Sequence, residues 1–231
     1  MPGKKLRDAK SKLPKEPVLL AEAISLVRGA APENFDATVE VHARLGIDPR
    51  KAEQQIRSTV ALPHGSGKKV RVIAFAEGDA AKKAKEAGAV EAAGEELVEK
   101  IAGGWLDFDV AVATPDSIRS LGKIAKTLGT KGLMPNAKAG TVSPDPAKVV
   151  AELVAGRIEF RNDDAGIVHS LIGKKSFSAE QLLENAEAFF AKLNELKPSS
   201  SKGVFLKSVS LATTMGPGVA VKTSGHKLAT A

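Results

Sequence analysis

Hydrophobic positions in the middle of the chain alternate between short continuous runs and helical spacing. The run VRVIAFA (70–76) is typical of a buried strand, and GDAAKKAKEAG (78–88) predicts a helix. A short strand at 89–92, a helix at 94–104 and the buried strand DVAVAT (109–114) continue the alternation. This βα rhythm predicts a compact α/β unit with a parallel sheet.

The second part of the same region predicts two more helices separated by a loop. Thr114 is expected to cap a helix that ends at Gly129. The stretch 129–146 is rich in Gly and Pro, which predicts an ordered loop or a contact surface. A helix over Pro146–Val154 is then expected to lead into RIEFRND (157–163), whose alternating pattern predicts a half-buried strand.

The N-terminal flank of this region has the pattern of a helix followed by a strand. We expect the helix to run from Pro17 to Gly29, because apolar residues recur there at helical spacing. The following ATVEVHARLGI (37–47) alternates as a strand that is exposed on one face.

The C-terminal flank predicts a long helix and a last strand. Ser178 and Gln181 form a capping-box signal, and the apolar stripe that follows ends before Pro198. The sequence GVFLKSVSLATTM (203–215) is expected to be the final strand, and 219–231 lacks periodicity and is expected to be mobile.

Charge divides the chain at the same boundaries. The protein has a net charge of +7, but residues 70–159 contain 12 Lys and Arg against 13 Asp and Glu. Residues 1–69 and 160–231 contain 22 against 14, so the positive charge belongs to the two ends. We therefore predict a discontinuous α+β domain of 1–69 and 160–231 with an α/β domain of 70–159 inserted into it, and the basic ends favour an anionic partner.

Composition excludes several classes of protein. Hydrophobic residues make up 43% of the chain, enough for a packed core. No Cys is present, which removes disulfides, thiolate catalysis and zinc–thiolate sites. The sequence has neither a run of roughly 20 apolar residues nor a signal peptide, so we expect a cytoplasmic protein that does not contact membranes.

Catalytic and nucleotide-binding motifs are absent. The string LPHGSGKK resembles a phosphate loop, but Leu62 and Lys69 stand where that loop needs Gly and a hydroxyl residue. No GxGxxG follows a predicted strand, and the four His have no HExxH spacing. We therefore predict that the protein is not an enzyme and uses no cofactor or metal.

The residues favour folded RNA over single strands as a nucleic-acid partner. The chain has one Trp, no Tyr and eight Phe, too few aromatics for a stacking platform. Folded RNA is recognised instead through its backbone, 2′-hydroxyls and shape. The segment TTMGPGV (213–219) places hydroxyls, a thioether and bare backbone at a strand end, which suits close approach to a ribose-phosphate chain. The residues alone favour the alternative, an ordinary strand exit.

Several strings resemble one family, the bacterial form of the ribosomal protein numbered L-one in the large-subunit series. They follow the family's order between about Asn34 and Val219. The matching strings are NFDATVEVHARLGIDPRKAEQQIRSTVALPHGSGKKVRV, GWLDFDVAVATPD, GLMPNAKAGTV, AGRIEFRND and TTMGPGV.

The resemblance implies a fold and a set of partners. The discontinuous domain is expected to bind large-subunit rRNA, and the insert is expected to be a three-layer Rossmann-like domain. Family members form the mobile stalk beside the ribosomal exit site, assist release of exit-site tRNA and repress their own operon mRNA. The resemblance thus implies large-subunit rRNA, exit-site tRNA, that mRNA and other ribosomal components as partners, with a monomer outside the ribosome.

The resemblance also implies which residues contact RNA. The family's contacts fall on the strand after the first helix and on the exit of the last strand. Carried over, they are Phe35, Thr38, Ser208, Thr214, Met215, Gly216 and Pro217, with His169 and Lys174 beside them and phosphate contacts from Lys4, Lys5 and Arg7. Core packing remains an equal alternative for Phe35.

The sequence departs from the family pattern in the insert's loop and in the strand that carries His169, and matches it at TTMGPGV. Thr130 and Ala137 stand where many members have Pro, and VHSLIGK (168–174) replaces a more typical IHVPIGK. Two alternative functions also stay open: a free regulatory mRNA-binding protein, and a nucleotide-using enzyme in the insert.

Overall fold

The computed structural model describes residues 4–137, 139–201 and 203–223. The chain contains seven α-helices and nine strands within these residues. The helices are α1 Lys4–Ser11, α2 Leu20–Gly29, α3 Gly78–Glu86, α4 Glu95–Ala102, α5 Ala125–Lys131, α6 Pro146–Val154 and α7 Ala179–Glu195. The strands are β1 Thr38–Leu45, β2 Arg57–Ala61, β3 Val72–Phe75, β4 Glu91–Ala93, β5 Val110–Ala113, β6 Arg157–Arg161, β7 Ile167–Lys174, β8 Leu206–Thr213 and β9 Val219–Val221.

The chain divides into two compact units. One comprises Met1–Gly67 with Glu159–Ala231 and is called the flanking unit. The other comprises Lys68–Ile158 and is called the central unit.

A four-stranded antiparallel sheet forms the frame of the flanking unit. Its order is β7-β1-β8-β9, so strands from both ends of the chain meet in one sheet. Alternate residues of β1 point inward and are fully or nearly fully buried under α2 and α7, as the period of two in the sequence predicts. The opposite face of the sheet carries most of the polar residues of the candidate site.

The long helix α7 begins at the predicted capping box. The Ser178 hydroxyl accepts from the Gln181 amide at 3.1 Å, and the Gln181 side chain accepts from the Ser178 amide at 3.0 Å. The inner face of α7 includes Phe189 and Phe190, whose rings pack edge to face 5.2 Å apart. Phe160 of β6 contacts Phe189 in the same way, which attaches the helix to the separate two-stranded sheet of β2 and β6.

The central unit has three layers. Its parallel sheet has the order β4-β3-β5, with β3 in the middle. Residues of α3 and α6 pack on one face of the sheet, and residues of α4 and α5 pack on the other. The predicted α/β layering is therefore present, and α6 has the predicted bounds.

The first long helix begins later than predicted. Pro17 is outside it, and α2 starts at Leu20. The reason is a tertiary contact, because the Val18 amide donates to the Ala220 carbonyl at 3.1 Å and the Val18 carbonyl accepts from the Lys222 amide at 2.7 Å. This pairing holds Val18 in extended backbone beside β9.

The expected final strand is followed by another one. The prediction of a mobile tail from Val219 is wrong for its first residues, because Val219–Val221 form β9 and pair with β8. Val219 and Val221 are buried, so packing fixes a segment too short to give a periodic signal. Residues 224–231 of that prediction lie outside the described residues.

The helix predicted after Thr114 is interrupted. Residues 115–119 form turns, Ser120–Lys123 form a 3-10 turn, and α5 starts only at Ala125. The Ser120 hydroxyl donates to the Ser117 carbonyl at 2.7 Å, a local bond of the kind that competes with helical pairing. The helix also continues past Gly129 and ends at Lys131, where Gly132 caps it in the left-handed region at φ 72°.

No helix in the described ranges has the length and apolar character that crossing a membrane requires.

Candidate nucleic-acid interface

The outer face of the flanking unit's sheet carries most of the predicted RNA-binding residues. Because strand residues alternate between faces, Thr38 and His42 of β1 share this face. The register places Lys174 opposite Thr38 and His169 opposite His42. On the other side of β1, Ser208 lies opposite Arg44.

Three predicted residues meet where β1 begins and β8 ends. The Thr38 amide donates to the Thr214 hydroxyl at 3.1 Å, and the Thr214 amide donates to the Thr38 carbonyl at 3.1 Å. The Lys174 ammonium donates to the Thr38 hydroxyl at 2.9 Å. We call this end of the sheet the rim; it comprises Glu33, Phe35, Thr38, Lys174, Thr214, Met215 and Gly216.

The carboxylate of Glu33 holds the rim in place through two hydrogen bonds. One oxygen of its carboxylate accepts from the Thr213 hydroxyl at 2.7 Å and from the Met215 amide at 2.8 Å. Burial raises the pKa of Glu33, but the hydrogen bonds from Thr213, from its own backbone and from Met215, with the charge of Lys175, outweigh burial and lower the pKa. The carboxylate is therefore ionised at neutral pH and holds the backbone of residue 215 in place.

The turn after β8 is too tight for a side chain at Gly216. A Cβ there would lie 2.1 Å from the Thr213 hydroxyl oxygen, the atom that donates to Glu33. The Gly216 amide donates to the Thr213 carbonyl at 3.0 Å and closes the turn. Pro217 is buried, so its ring shapes the turn and is not accessible to a partner.

Two large apolar side chains of the rim are exposed to solvent. Met215 is 64% exposed and Phe35 is 55% exposed. The exposure of Phe35 excludes the core-packing interpretation, because a core residue would be buried, and its contact with RNA stays a prediction. An exposed Phe and Met beside hydroxyls and an ammonium group suit contact with ribose and base edges.

The centre of the same face holds a pair of imidazoles. The Nδ1 atoms of His42 and His169 are 2.8 Å apart, and the rings meet edge to face. Glu40 lies 3.9 Å from His42, and Asp163 lies 3.4 Å from His169. Burial and the neighbouring His169 lower the pKa of His42, although Glu40 acts in the opposite direction.

Other predicted residues lie apart from the rim. Ser208 is exposed on the outer face, but its partner Arg44 is six positions along β1 from Thr38, a distance of about 20 Å. Lys4, Lys5 and Arg7 lie on α1, which has no buried residue. No residue of α1 is fully buried, so the phosphate contacts of its cations stay a prediction.

Sequence reasoning missed Glu33 and His42. The role of Glu33 depends on residues 180 and 182 positions later in the chain, which no local pattern reveals. The sequence could have predicted His42 as a residue of the outer face, because the alternating pattern of β1 places it there. Only the register with β7 shows that His169 is its neighbour.

Replacing Glu33 by Ala is expected to weaken binding at the rim. The buried Thr213 hydroxyl and the Met215 amide would each lose their acceptor, so the affinity for an rRNA fragment should fall about fivefold, the scale of one hydrogen bond. Filter binding measures the effect. The exposed Glu16→Ala is the control with the same charge change, and equal affinities of the two variants would contradict the role of Glu33.

The His42–His169 pair predicts a pH-dependent stability. The folded pKa of His42 lies below the ordinary 6.5, so the unfolded state takes up a proton more readily and the folded state loses stability as the pH falls through that value. His42→Gln and His169→Gln should each reduce the loss of melting temperature between about pH 7.5 and pH 5.5. If the melting temperature of both variants depends on pH as that of the unmodified protein does, the His42–His169 pair is not the source of the pH-dependent stability.

The central unit contains a separate cavity of about 460 Å³ at the carboxyl ends of its parallel strands. Three carboxylates line it, from Glu77, Glu95 and Asp116, and no Lys or Arg does. This lining would repel the phosphates of a nucleotide, which argues against a nucleotide-using enzyme. Within residues 4–137, 139–201 and 203–223, no three His, Asp or Glu residues are grouped to hold a metal ion.

Comparison with known proteins identifies the family. Residues 27–217 match the Ribosomal protein L1p/L10e family. Large ribosomal subunit protein uL1 of Thermus thermophilus is 50% identical over 221 residues, which cover 95% of this chain and 96% of that protein. The protein of the same description from another strain of Thermus thermophilus matches over the same length with the same identity.

The chain belongs to the Ribosomal protein L1p/L10e family. This family is structural and not enzymatic, so the prediction that the chain is not an enzyme is confirmed.

Proposed function

We propose that this chain is a structural protein of the large ribosomal subunit in the cytoplasm and binds large-subunit rRNA directly through the rim. Family membership and 50% identity to uL1 support the ribosomal assignment. The observation that carries the RNA site is the rim itself, where an ammonium group, two exposed apolar side chains and a Gly-edged turn lie together.

The chemistry of the rim suits folded RNA. Lys174 supplies positive charge for a phosphate, and the Thr38 and Thr214 hydroxyls offer hydrogen bonds to ribose. Gly216 permits the tight turn that presents Thr214 and Met215 at the rim, because a Cβ at this position would meet the Thr213 hydroxyl. Hydrogen bonds within the protein already fix these groups, so RNA binding loses little free energy to the ordering of side chains.

We further propose distinct roles for the two units. The flanking unit is the rRNA-binding domain, and the central unit is the three-layer, Rossmann-like insert. Together they form the mobile stalk that assists release of exit-site tRNA. The same rim is expected to bind the operon mRNA of this protein, because a repressor whose mRNA target mimics its rRNA site needs no second surface.

Cell fractionation tests the ribosomal assignment against the alternative of a free mRNA-binding regulator. A large-subunit component should sediment with large subunits in moderate salt, whereas a free regulator should remain in the light fractions. Recovery of the protein mainly in the light fractions, at expression levels below those of the ribosome, would overturn the proposal.

A further inference from the structure

Positive charge in the central unit is concentrated in one segment. Residues 117–144 contain five Lys or Arg and no Asp or Glu. The rest of this unit contains nine Lys or Arg against twelve Asp or Glu. Four of the five cations lie in the described residues and are called the cationic cluster: Arg119, Lys123, Lys126 and Lys131.

The members of the cationic cluster are exposed and are not neutralised by carboxylates. Elsewhere in the unit five cations have an Asp or Glu partner: Lys68, Arg71, Lys82, Lys100 and Arg157. In the part of the chain that the structure describes, no member of the cluster forms an ion pair, and all four are exposed. Their full charge is therefore available to a partner.

Packing holds the cluster on a fixed surface. The intervening apolar residues Leu121, Ile124 and Leu128 are buried at 0–2% exposure in the core that α4 and the sheet share. Lys123, Lys126 and Lys131 alternate with them on the outer side of the 3-10 turn and α5. Lys126 and Lys131 share α5, and Arg119 and Lys123 lie in the turns that lead into it, so packing holds all four charges on one surface segment.

The surface lacks the features of a protein-binding site. Protein interfaces are usually centred on an exposed aromatic or large apolar anchor. The exposed large apolar residues of the described chain are Leu19, Phe35, Val90, Val154, Val204 and Met215, and none of them lies in 117–144. A surface of cations without an anchor fits the regular charge of a nucleic-acid backbone better than it fits a folded protein.

We propose that the cationic cluster is a second RNA-binding surface, which contacts the phosphate backbone of structured RNA without reading its sequence. It lies on the α4–α5 side of the central unit's sheet and uses none of the residues of the rim. The inference depends on the proposed function only in its choice of RNA as the partner.

Salt dependence of RNA binding tests the cluster. The full chain is compared with the variant R119Q/K123Q/K126Q/K131Q, using the stalk rRNA fragment and a deacylated tRNA as two separate RNAs. Each phosphate that is no longer neutralised should reduce the slope of log affinity against log salt by about 0.9. We expect the slope of the variant to be smaller by about two and its affinity to be about tenfold weaker on at least one RNA, and the RNA that responds identifies the source of the phosphates.

The control removes the same charge from the other side of the sheet. K82Q/K83Q/K85Q/K148Q changes four exposed Lys on α3 and α6, which pack on the opposite face. The slope should fall less than half as far in this control as in the cluster variant. Equal reductions in the two variants, or no reduction in the cluster variant on either RNA, would overturn the proposal.

The rim variant Met215→Asp separates this outcome from the proposed function. If Met215→Asp weakens binding to the rRNA fragment while the cluster variant does not change binding to either RNA, only the second surface is wrong. If the unmodified chain shows no preference for the rRNA fragment, the proposed function itself is wrong.

Discussion

Replacing Met215 by Asp is expected to raise the dissociation constant for the stalk rRNA fragment more than about tenfold without affecting folding. The side chain is 64% exposed, so the folded state gains little from it. At the rim, however, Asp would remove an apolar contact and bring a negative charge towards phosphates. A tenfold weaker affinity corresponds to about 1.4 kcal/mol, the scale of a single interaction in an interface.

A matched variant separates the rim from general charge effects. Val204→Asp makes the same kind of change at a residue that is 50% exposed, at the opposite end of β8 from the rim. It should bind the fragment nearly as tightly as the unmodified protein, and both variants should keep its melting temperature. Thr214→Ala should also lose affinity, since Thr214 hydrogen-bonds Thr38. Unchanged affinity of Met215→Asp and Thr214→Ala would remove the rim as the RNA site.

Replacing Asn185 by Leu is expected to produce the largest loss of stability. Asn185 is fully buried on α7, and its side chain accepts from the His64 amide at 3.0 Å. It also donates to the carbonyls of Gly65 at 3.1 Å and Ile172 at 2.8 Å. Leu would leave three backbone groups without a partner at roughly 1–3 kcal/mol each, so the free energy of unfolding should fall by about 3 kcal/mol or more.

Urea denaturation followed by circular dichroism measures this loss. Asn194→Leu is the control, because Asn194 is on the same helix and is only partly buried. The control should change the free energy of unfolding by less than about 1 kcal/mol. Similar stabilities of the two variants would show that the buried amide does not organise the loop that carries His64 and Gly65.

Elements with strong local signals were predictable from the sequence. The capping box at Ser178 and the Pro at the start of α6 fix helix ends through bonds and backbone angles within one turn. The buried runs of β3 and β5 were also visible, because both faces of a parallel strand are covered in a three-layer fold.

Elements that depend on distant partners were not predictable. Val18 leaves the helical pattern because it pairs with β9, which lies about 200 residues later in the chain. The strand β9 itself has three residues and exists through its pairing with β8. After Thr114, the hydroxyl groups of Thr114 and Ser120 bond the backbone of Ser117 locally, in place of the continuous helix that the apolar spacing suggested.

The same distinction applies to the rim. The sequence predicted Thr214, Met215 and Gly216 as site residues, through the unusual chemistry of TTMGPGV and the family resemblance. The sequence did not predict the hydrogen bonds from this segment to Glu33, since they join residues about 180 positions apart. The position of Ser208 far from Thr214 follows from strand geometry, which a sequence motif does not contain.

The most direct measurement of the central claim is the affinity of the full chain for the stalk rRNA fragment and for an unrelated RNA duplex of equal length. It should be made at about 50 and 200 mM salt, because phosphate contacts alone weaken steeply over this range. The expected result is a preference of at least about a hundredfold for the fragment that persists at the higher salt, since shape and ribose contacts at the rim do not release counterions. Equal affinity for the two RNAs at the higher salt would contradict specific recognition by the rim.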